Sequence, residues 1–320
     1  MNASHTGGRY SPSFPNGDET AALGLIYDLT RSGDGLLVKA VIPGGPFDIA
    51  ATKMKDGVLI DKIDGVALTA ASDWSKLLNH KAGQFTRISF HEAKGGASYE
   101  EIIKPIKPRT ETSVLLYNKW VKLMEHLTDS LSGGKVGYVH VRSMDDPSFR
   151  VTFDKVLGKN NRKEALIVDS RFNGGGWLHD DLVTFLSGKL YFTLRPQGHI
   201  TTGGEPLNKW TKPSCVLMSE SNYSDAFMFP YAYKELGIGK LVGMPVAGTG
   251  TAVWWEQQIN PRIVFGIPMI GTYGAGETHA TENYQLEPDI LILNEYSKLL
   301  AGQDQQLETA VKEMLSTIKK

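Results

Sequence analysis

The sequence predicts a mixed α/β protein in which a β-rich region precedes an α/β region. Two observations predict this class. Short β-type runs separated by glycines fill the chain up to about residue 107, and beyond that point strand and helix patterns alternate. Such alternation is typical of a sheet covered by helices. With 320 residues, the chain is long enough for several domains, and we expect an N-terminal segment (1–20), a β-rich domain (21–107) and an α/β domain (108–320).

The composition narrows the class of partner. Hydrophobic residues make up 41% of the chain, charged residues 22%, and the formal net charge is -1. Because the charges balance, bulk charge selects neither a nucleic acid nor a membrane surface as partner. No run approaches eighteen consecutive apolar residues, so no membrane span is expected. The eight histidines and the one cysteine show no metal-ligand spacing, and no metal is expected.

The chain gives little information about its compartment. Its single cysteine, Cys215, lies in an apolar run and is predicted to be a small core residue, which leaves the redox environment open. The first eight residues lack the basic and apolar regions of a signal peptide. We expect a piece cut from a longer chain, whose localisation, cytoplasmic or periplasmic, is unknown.

Residues 1–20 are rich in Ser, Gly, Pro, Asn and Asp and are predicted to be an irregular segment lying on the rest. In the β-rich domain the patterns predict strands over 23–28, 36–42, 58–63, 86–91 and 101–106. Helices are predicted over 46–51 and 72–78, the second capped by Ser72 or Asp73.

The α/β domain follows a linker marked by Pro105 and Pro108. Helical spacing predicts helices over 113–131, 149–157, 177–185, 225–236 and 304–318. Apolar runs predict strands over 135–141, 165–170, 190–194 and 215–218.

Three consecutive glycines, Gly174 to Gly176, follow the predicted strand 165–170 and precede a helix. Without side chains, their amides can approach a ligand closely, and the start of a helix adds partial positive charge. Such a turn suits an oxyanion or a phosphate, although a tight turn without chemistry is the commoner use of such glycines.

A second strand end, about fifty residues later, carries Ser224 just before the predicted helix 225–236. Ends of neighbouring strands lie side by side in an α/β sheet, so this serine and the glycine amides are expected to face one volume. That arrangement suggests acyl transfer. A plain helix N-cap is the alternative role for the serine.

The β-rich region resembles a PDZ domain, and three motifs carry the resemblance: ALGL (22–25), PGGPFDIA (43–50) and GVLIDKIDG (57–65). PDZ domains capture peptide C-termini by strand addition and hold the terminal carboxylate with loop amides. The resemblance places that loop at Leu23, Gly24 and Leu25. A spacer domain without a ligand is the alternative.

Five motifs, in order, resemble the C-terminal half of the tricorn proteases, in the superfamily of C-terminal processing peptidases: GYVHV (137–141), LIVDSRFNGGG (166–176), SD (224–225), LGIGKLVG (236–243) and ENYQLEPD (282–289). The family also carries a PDZ domain, preceded by a Ser-His pair. The resemblance therefore covers essentially the whole chain, and it implies an α/β sandwich core of the crotonase-like, tail-specific protease type.

The resemblance implies a serine peptidase that needs no cofactor and acts on peptides or unfolded polypeptides, with a homo-oligomer as a possible assembly. It assigns roles to six positions: Ser224 as nucleophile, His5 as base, Ser4 as the link from His5 to Glu282, and the amides of Gly176 and Asp225 as oxyanion hole. These roles fit the chemistry, because a serine needs a base, and the base needs a partner that fixes its tautomer.

Related processing proteases use a lysine base about twenty-five residues after the serine, but the segment VAGTGTA (246–252) contains none. A histidine base is therefore favoured, with His279 and His140 as rivals of His5. Leu194 stands where the archaeal tricorn has an aspartate that selects basic side chains, so an apolar or small preference is expected. The tryptophans 254 and 255 are predicted to be either core or the wall of a substrate groove.

Two other functions stay open. In the first, the PDZ-like domain captures peptide C-termini while the α/β domain is catalytically silent. In the second, the helix-mouth amides hold an enolate in acyl-thioester chemistry, which would not need the set Ser224, His5 and Glu282.

Overall fold

A computed structural model describes residues 4–12, 14–201 and 203–319. It forms two compact units, Ser13–Leu123 and a second built from Met1–Pro12 together with Met124–Lys320. The predicted mixed α/β class is confirmed. The boundaries between the units follow Pro12 and Leu123, whereas the sequence predicted boundaries after residues 20 and 107.

The strands in chain order are β1 (Gly7–Tyr10), β2 (Leu25–Tyr27), β3 (Leu36–Val41), β4 (Val58–Ile63), β5 (Val66–Ala67), β6 (Thr86–Glu92), β7 (Ser98–Ile103), β8 (Val136–His140), β9 (Ala165–Asp169), β10 (Phe192–Leu194), β11 (Gly203–Glu205), β12 (Ser214–Met218), β13 (Lys240–Gly243), β14 (Ala252–Gln257), β15 (Ile263–Ile270) and β16 (Ile290–Leu291). The helices are α1 (Pro108–Thr110), α2 (Tyr117–Ser132), α3 (Asp146–Leu157), α4 (His179–Leu186), α5 (Asp225–Glu235), α6 (Tyr296–Leu300) and α7 (Gln305–Thr317). A 3-10 helix covers Trp74–Leu78 and a π-helical turn covers Glu111–Leu116.

The unit Ser13–Leu123 is built on an antiparallel sheet of order β2-β3-β4-β6-β7, with β5 paired to β4. Alternate side chains of these strands enter a core that contains the fully buried Phe47, Ile60 and Phe90. The five predicted strands are present within a few residues of the predicted bounds.

Both helix predictions in this unit need correction. Residues 46–51 form turns instead of a helix, because Asp48 accepts from the Gly44 amide and the backbone closes four-residue turns. The predicted helix 72–78 is a short 3-10 helix. Asp73 stands at its N-cap but makes no capping bond, since its carboxylate accepts from the Ser75 hydroxyl instead.

The second unit contains a parallel sheet of order β16-β13-β12-β9-β8. Every residue of β8, β9 and β12 is buried, as expected for a parallel sheet covered on both faces. Helix α7 packs against four of these strands. Alternate side chains of β8, β9 and β12 pack with α3, α4 and α5 in one large core. Parallel strands end at one edge, and β9 and β12 bring the glycine turn and Ser224 to that edge.

A smaller sheet of order β1-β15-β14 completes the unit. The prediction that residues 1–20 are irregular was wrong for Gly7–Tyr10, which pairs antiparallel with β15. The side chains of β1 are all exposed, so no alternating apolar pattern could indicate a strand. The strand depends on its partner edge. Among the described residues, no helix has the length and apolarity needed to cross a membrane.

Candidate active site

Ser224 stands at the N-cap of α5 in a backbone conformation that serine rarely adopts. Its φ is 57° and its ψ is -125°. A non-glycine residue in such a region costs on the order of 1–3 kcal/mol, so the surrounding structure must enforce it. One enforcing contact is the bond from the Ser224 amide to Thr249 Oγ1, at 2.7 Å. The sharp turn presents the serine hydroxyl at the mouth of the helix.

The glycine turn lies directly against Ser224. A Cβ added to Gly175 would stand 2.6 Å from the Cβ of Ser224 and 3.0 Å from the amide nitrogen of Asp225. Gly176 has a φ of 146°, and a Cβ there would overlap the carbonyl oxygen of Met144. Both positions therefore require glycine, as expected for a turn that must approach the helix mouth closely.

Two amides near the helix mouth are available to a ligand. Within the described part of the chain, neither the Gly176 amide nor the Asp225 amide donates to a protein acceptor. The Gly175 amide, by contrast, donates to Asn173 Oδ1 at 2.8 Å. The structure thus brings together the two amides that the sequence predicts as an oxyanion hole, next to Ser224.

Buried polar groups fix the turn that carries these glycines. Asn173 is fully buried, and its Nδ2 donates to the Val141 carbonyl at 2.9 Å. Arg171 forms a buried ion pair with Asp169 at 2.7 Å and with Asp304 at 2.9 Å, which joins the end of β9 to the N-cap of α7. A satisfied network of this kind holds the strand end rigidly.

His5, from the far end of the chain, lies beside the residue that precedes Ser224. Its amide donates to the Tyr223 hydroxyl at 2.8 Å, and the two rings are 4.7 Å apart. Its Nδ1 lies 2.7 Å from Ser4 Oγ. The Ser4 amide in turn donates to the Glu282 carboxylate. Glu282, Ser4 and His5 are therefore in contact one after another, and their catalytic roles stay predictions.

The electrostatics of this chain favour a neutral imidazole beside an ionised carboxylate. Burial lowers the pKa of His5 from its ordinary value, although the Glu282 charge acts in the opposite direction. Burial also penalises the Glu282 carboxylate, but hydrogen bonds from Thr251 and Ser4 outweigh it and hold the pKa of Glu282 below its ordinary value. Thr251 Oγ1 donates to that carboxylate at 2.6 Å.

The rival histidines have other partners. His140 is buried, and its Nε2 lies 3.0 Å from the Arg171 carbonyl, so its ring is engaged at the edge of the core. His279 is about half exposed, lies 3.5 Å from Glu277 and contacts the Tyr284 ring. The tryptophans 254 and 255 on β14 are 60% and 53% exposed, so the core alternative for them was wrong.

The remaining predicted site residues lie elsewhere. Leu194 ends β10, which pairs with β11, and it is 42% exposed. Its selection of substrate side chains stays a prediction. In the unit Ser13–Leu123, Leu23 and Leu25 are buried, and Gly24 has a φ of 70°. The Gly24 amide donates to Glu111 Oε2 at 2.8 Å.

Three site residues were not predicted from the sequence: Tyr223, Thr249 and Thr251. Tyr223 is adjacent to Ser224 and receives the His5 amide. The two threonines lie in the segment 246–252, whose sequence was used only to argue against a lysine base. Threonines between glycines in a loop are ordinary, and only the fold shows that Thr249 faces Ser224 and that Thr251 faces Glu282.

Part of the chain matches a known peptidase family, and most of it is similar to known proteins. Residues 135–292 match peptidase family S41. The chain is 26% identical over 263 residues to the tricorn protease of Thermoplasma acidophilum, which covers 82% of this chain and 24% of that protein. It is 25% identical over 293 residues to tricorn protease homolog 1 of Streptomyces coelicolor, covering 89% of this chain and 27% of that protein. The chain thus spans about a quarter of the length of these relatives.

The fold is also that of a solved relative. A crystal structure of the tricorn protease superposes with a TM-score of 0.81 over 99% of this chain and 31% of that one, at 24% sequence identity. At this identity the superposition shows a shared fold. The match to peptidase family S41 over residues 135–292 and this shared fold make the chain similar to the tricorn-type peptidases of that family.

Proposed function

We propose that the chain hydrolyses peptides or unfolded polypeptide segments through an acyl-enzyme on Ser224. One observation carries the proposal. Ser4 contacts both Glu282 and His5, and His5 contacts Tyr223, the residue before a strained serine. Beside this serine lie two amides that have no protein acceptor among the described residues. A nucleophile, a base with a fixed tautomer and donors for an oxyanion are the parts that acyl transfer needs.

In the proposed first step, Ser224 Oγ attacks the carbonyl carbon of the scissile peptide bond and its proton passes to His5 Nε2. The carbonyl oxygen becomes an oxyanion held by the amides of Gly176 and Asp225. The tetrahedral intermediate then collapses, and the C–N bond breaks as the leaving amine takes the proton from His5. Water repeats the sequence on the ester and restores the serine. Each oxyanion donor contributes on the order of 3 kcal/mol to transition-state stabilisation.

The contacts of Ser4 support one tautomer of His5. Ser4 Oγ lies 2.7 Å from His5 Nδ1, and in the proposed tautomer the Ser4 oxygen accepts from Nδ1–H of His5. Nε2 then carries the lone pair that receives the serine proton. The imidazolium formed in the reaction is stabilised by the Glu282 charge, which reaches it through one hydroxyl.

A fluorophosphonate tests the nucleophile. We expect the probe to modify the chain at Ser224, located by peptide mass spectrometry, and Ser224→Ala to abolish both labelling and hydrolysis of an unfolded casein substrate. Ser221→Ala is the matched control, because this exposed serine lies in the same loop and bonds only Ser219 among the described residues. Hydrolysis that survives Ser224→Ala would refute the proposal, and an unlabelled but folded chain would favour a binding module.

The proposed preference is for apolar or small side chains, since Leu194 would offer no charge to a basic one. Fluorogenic peptides that differ only in Leu or Arg before the cleaved bond test it, with kcat/KM as readout. Leu194→Asp should shift the ratio of the two toward Arg, and an unchanged ratio would remove Leu194 from the selection of substrate. We also propose a homo-oligomer, which sedimentation velocity can test.

A further inference from the structure

Asp225 has a second set of contacts that the proposed reaction does not use. Its amide is one of the two oxyanion donors, but its carboxylate is 1% exposed and turns toward the start of α4. Oδ2 accepts from the Leu178 amide at 2.5 Å and from the His179 amide at 3.0 Å. Oδ1 lies against His179 Nδ1 in a short hydrogen bond. Three donors thus bind one buried carboxylate.

These bonds join the two halves of the proposed oxyanion hole. Leu178 and His179 follow Gly176 by two and three residues, and the carboxylate that they bind belongs to the residue whose amide is the other donor. The side chain of Asp225 therefore ties the segment after Gly176 to the residue that carries the second amide. Loosening this link changes the donor spacing, to which oxyanion stabilisation is sensitive.

The Asp225 carboxylate also places a negative charge close to the position of the proposed oxyanion. His179 can neutralise it, because the hydrogen bond with Asp225 raises the pKa of His179 from its ordinary value, although burial acts against this. The carboxylates of Asp180 and Asp181, on the same helix, raise it further. Its ring otherwise contacts Trp177 edge-on, with ring centres 5.5 Å apart. The protonated pair with Asp225 is neutral overall.

We propose that His179 is a positioning residue for the oxyanion hole, which fixes the Asp225 carboxylate and cancels its charge. The inference rests on the proposed function. It adds a group on which the rate depends, although that group acts only through another residue. Protonated His179 supports the developing oxyanion best, because deprotonation leaves the Asp225 charge uncompensated.

Two variants separate the hydrogen bond from the charge. His179→Ala removes both, and we expect kcat for a fluorogenic peptide to fall about 100-fold, the loss typical for one oxyanion donor, with KM within about twofold. His179→Asn keeps a donor near the Nδ1 position but not the charge, so about a tenfold fall is expected, by the same scale. His126→Ala, an exposed histidine on α2, is the control and should leave kcat unchanged.

The pH profile gives the readout that a merely structural role would not move. Wild-type kcat should decline as the pH rises through the raised pKa of His179, and this alkaline decline should be absent in His179→Asn, while the acid limb from His5 stays. A kcat of His179→Ala within twofold of wild type, or an alkaline decline retained in His179→Asn, overturns the inference. If Ser224→Ala also remains active, the proposed function fails as well; if it is inactive, only this inference fails. Far-ultraviolet circular dichroism establishes that each variant is folded, and should His179→Ala not fold, His179→Asn decides.

Discussion

Each unit of the molecule presents backbone amides beside a glycine with positive φ, and the two sets of amides differ in their acceptors. At Gly24, the amide donates to the chain's own Glu111. At Gly176, the corresponding donor and its partner on Asp225 have no protein acceptor among the described residues. The same backbone device thus serves two purposes. The Gly24 amide binds a carboxylate of its own chain, whereas the Gly176 and Asp225 amides are proposed to bind a transient oxyanion.

The occupied site carries an electrostatic cost. Burial raises the pKa of Glu111, and the hydrogen bonds from the backbone of Gly24 and Leu25 offset this only in part. The nearby Tyr27 hydroxyl also has a raised pKa, first because it is buried and then because of the Glu111 charge. The ionised carboxylate is therefore held by amides but only partly compensated. In the proposed reaction, the Gly176 and Asp225 amides bind an anion only in the transition state, so they carry no such cost before it forms.

The largest effect is expected from adding a side chain to the glycine turn beside Ser224. Gly175→Ala should abolish peptide hydrolysis, by at least about 1000-fold, because the new methyl group would displace Ser224 and the Asp225 amide. Gly174→Ala is the matched control, since its Cβ would meet nothing within 4 Å. Initial rates on one fluorogenic peptide compare the two. Equal activity of both variants would show that the close approach at Gly175 has no role in hydrolysis.

A smaller but still large effect should follow from neutralising Glu282. Glu282→Gln keeps the shape of the side chain but removes the charge that stabilises a protonated His5, so kcat should fall on the order of 100-fold to 1000-fold. Glu277→Gln serves as control, because Glu277 is exposed and pairs only loosely with His279. Steady-state kinetics measure both. A kcat of Glu282→Gln close to that of wild type would remove Glu282 from the relay.

The acid side of the pH profile tests the base. His5 has a lowered pKa and must be neutral to accept the serine proton, so activity should be retained through pH 6.5 and fall as the pH drops through its pKa. The rate of fluorophosphonate labelling, measured from pH 4 to 8, should follow the same limb. A limb centred above pH 6.5 would indicate a different base.

The smallest effect concerns the occupied site. Glu111 has a raised pKa, so its contribution to stability is fully present below about 4.5 and is lost as the pH rises through the folded-state value. At pH 7, Glu111→Gln should therefore leave Tm unchanged or raise it by ~2 °C, with hydrolysis intact. For Glu92→Gln, the expected change in Tm at pH 7 has the opposite sign and is a decrease, because the hydrogen bond and ion pair with Lys55 lower the pKa of Glu92. A marked fall in Tm for Glu111→Gln at pH 7 would show that the charge itself stabilises the loop.

The sequence predicted those parts of the fold and the site that local patterns encode. Apolar runs located β9 and β12, and because parallel strands end at one edge, Ser224 and the glycine turn could be placed together. His5 was another matter, since nothing local indicates what residue 5 contacts. Only the family resemblance suggested its role, and its contact with Tyr223 depends on the fold.

The errors also have physical causes. The strand Gly7–Tyr10 has four exposed residues and exists because β15 offers an edge, which is a long-range contact. The turns at 46–51 replace a helix because Asp48 competes for backbone donors. The side chain of Asp225 was given no role, since a carboxylate at a helix start is ordinary, and its bond to His179 joins segments 46 residues apart.

The pairing of β1 with β15 has a kinetic consequence. An outermost strand of four exposed residues separates from its neighbour at far lower free energy than the buried sheet does. Because His5 lies two residues before the start of this strand, each such fraying event would move the proposed base away from Ser224 while the rest of the molecule remains intact. The observed turnover would then be the intrinsic rate multiplied by the fraction of time for which β1 stays paired with β15.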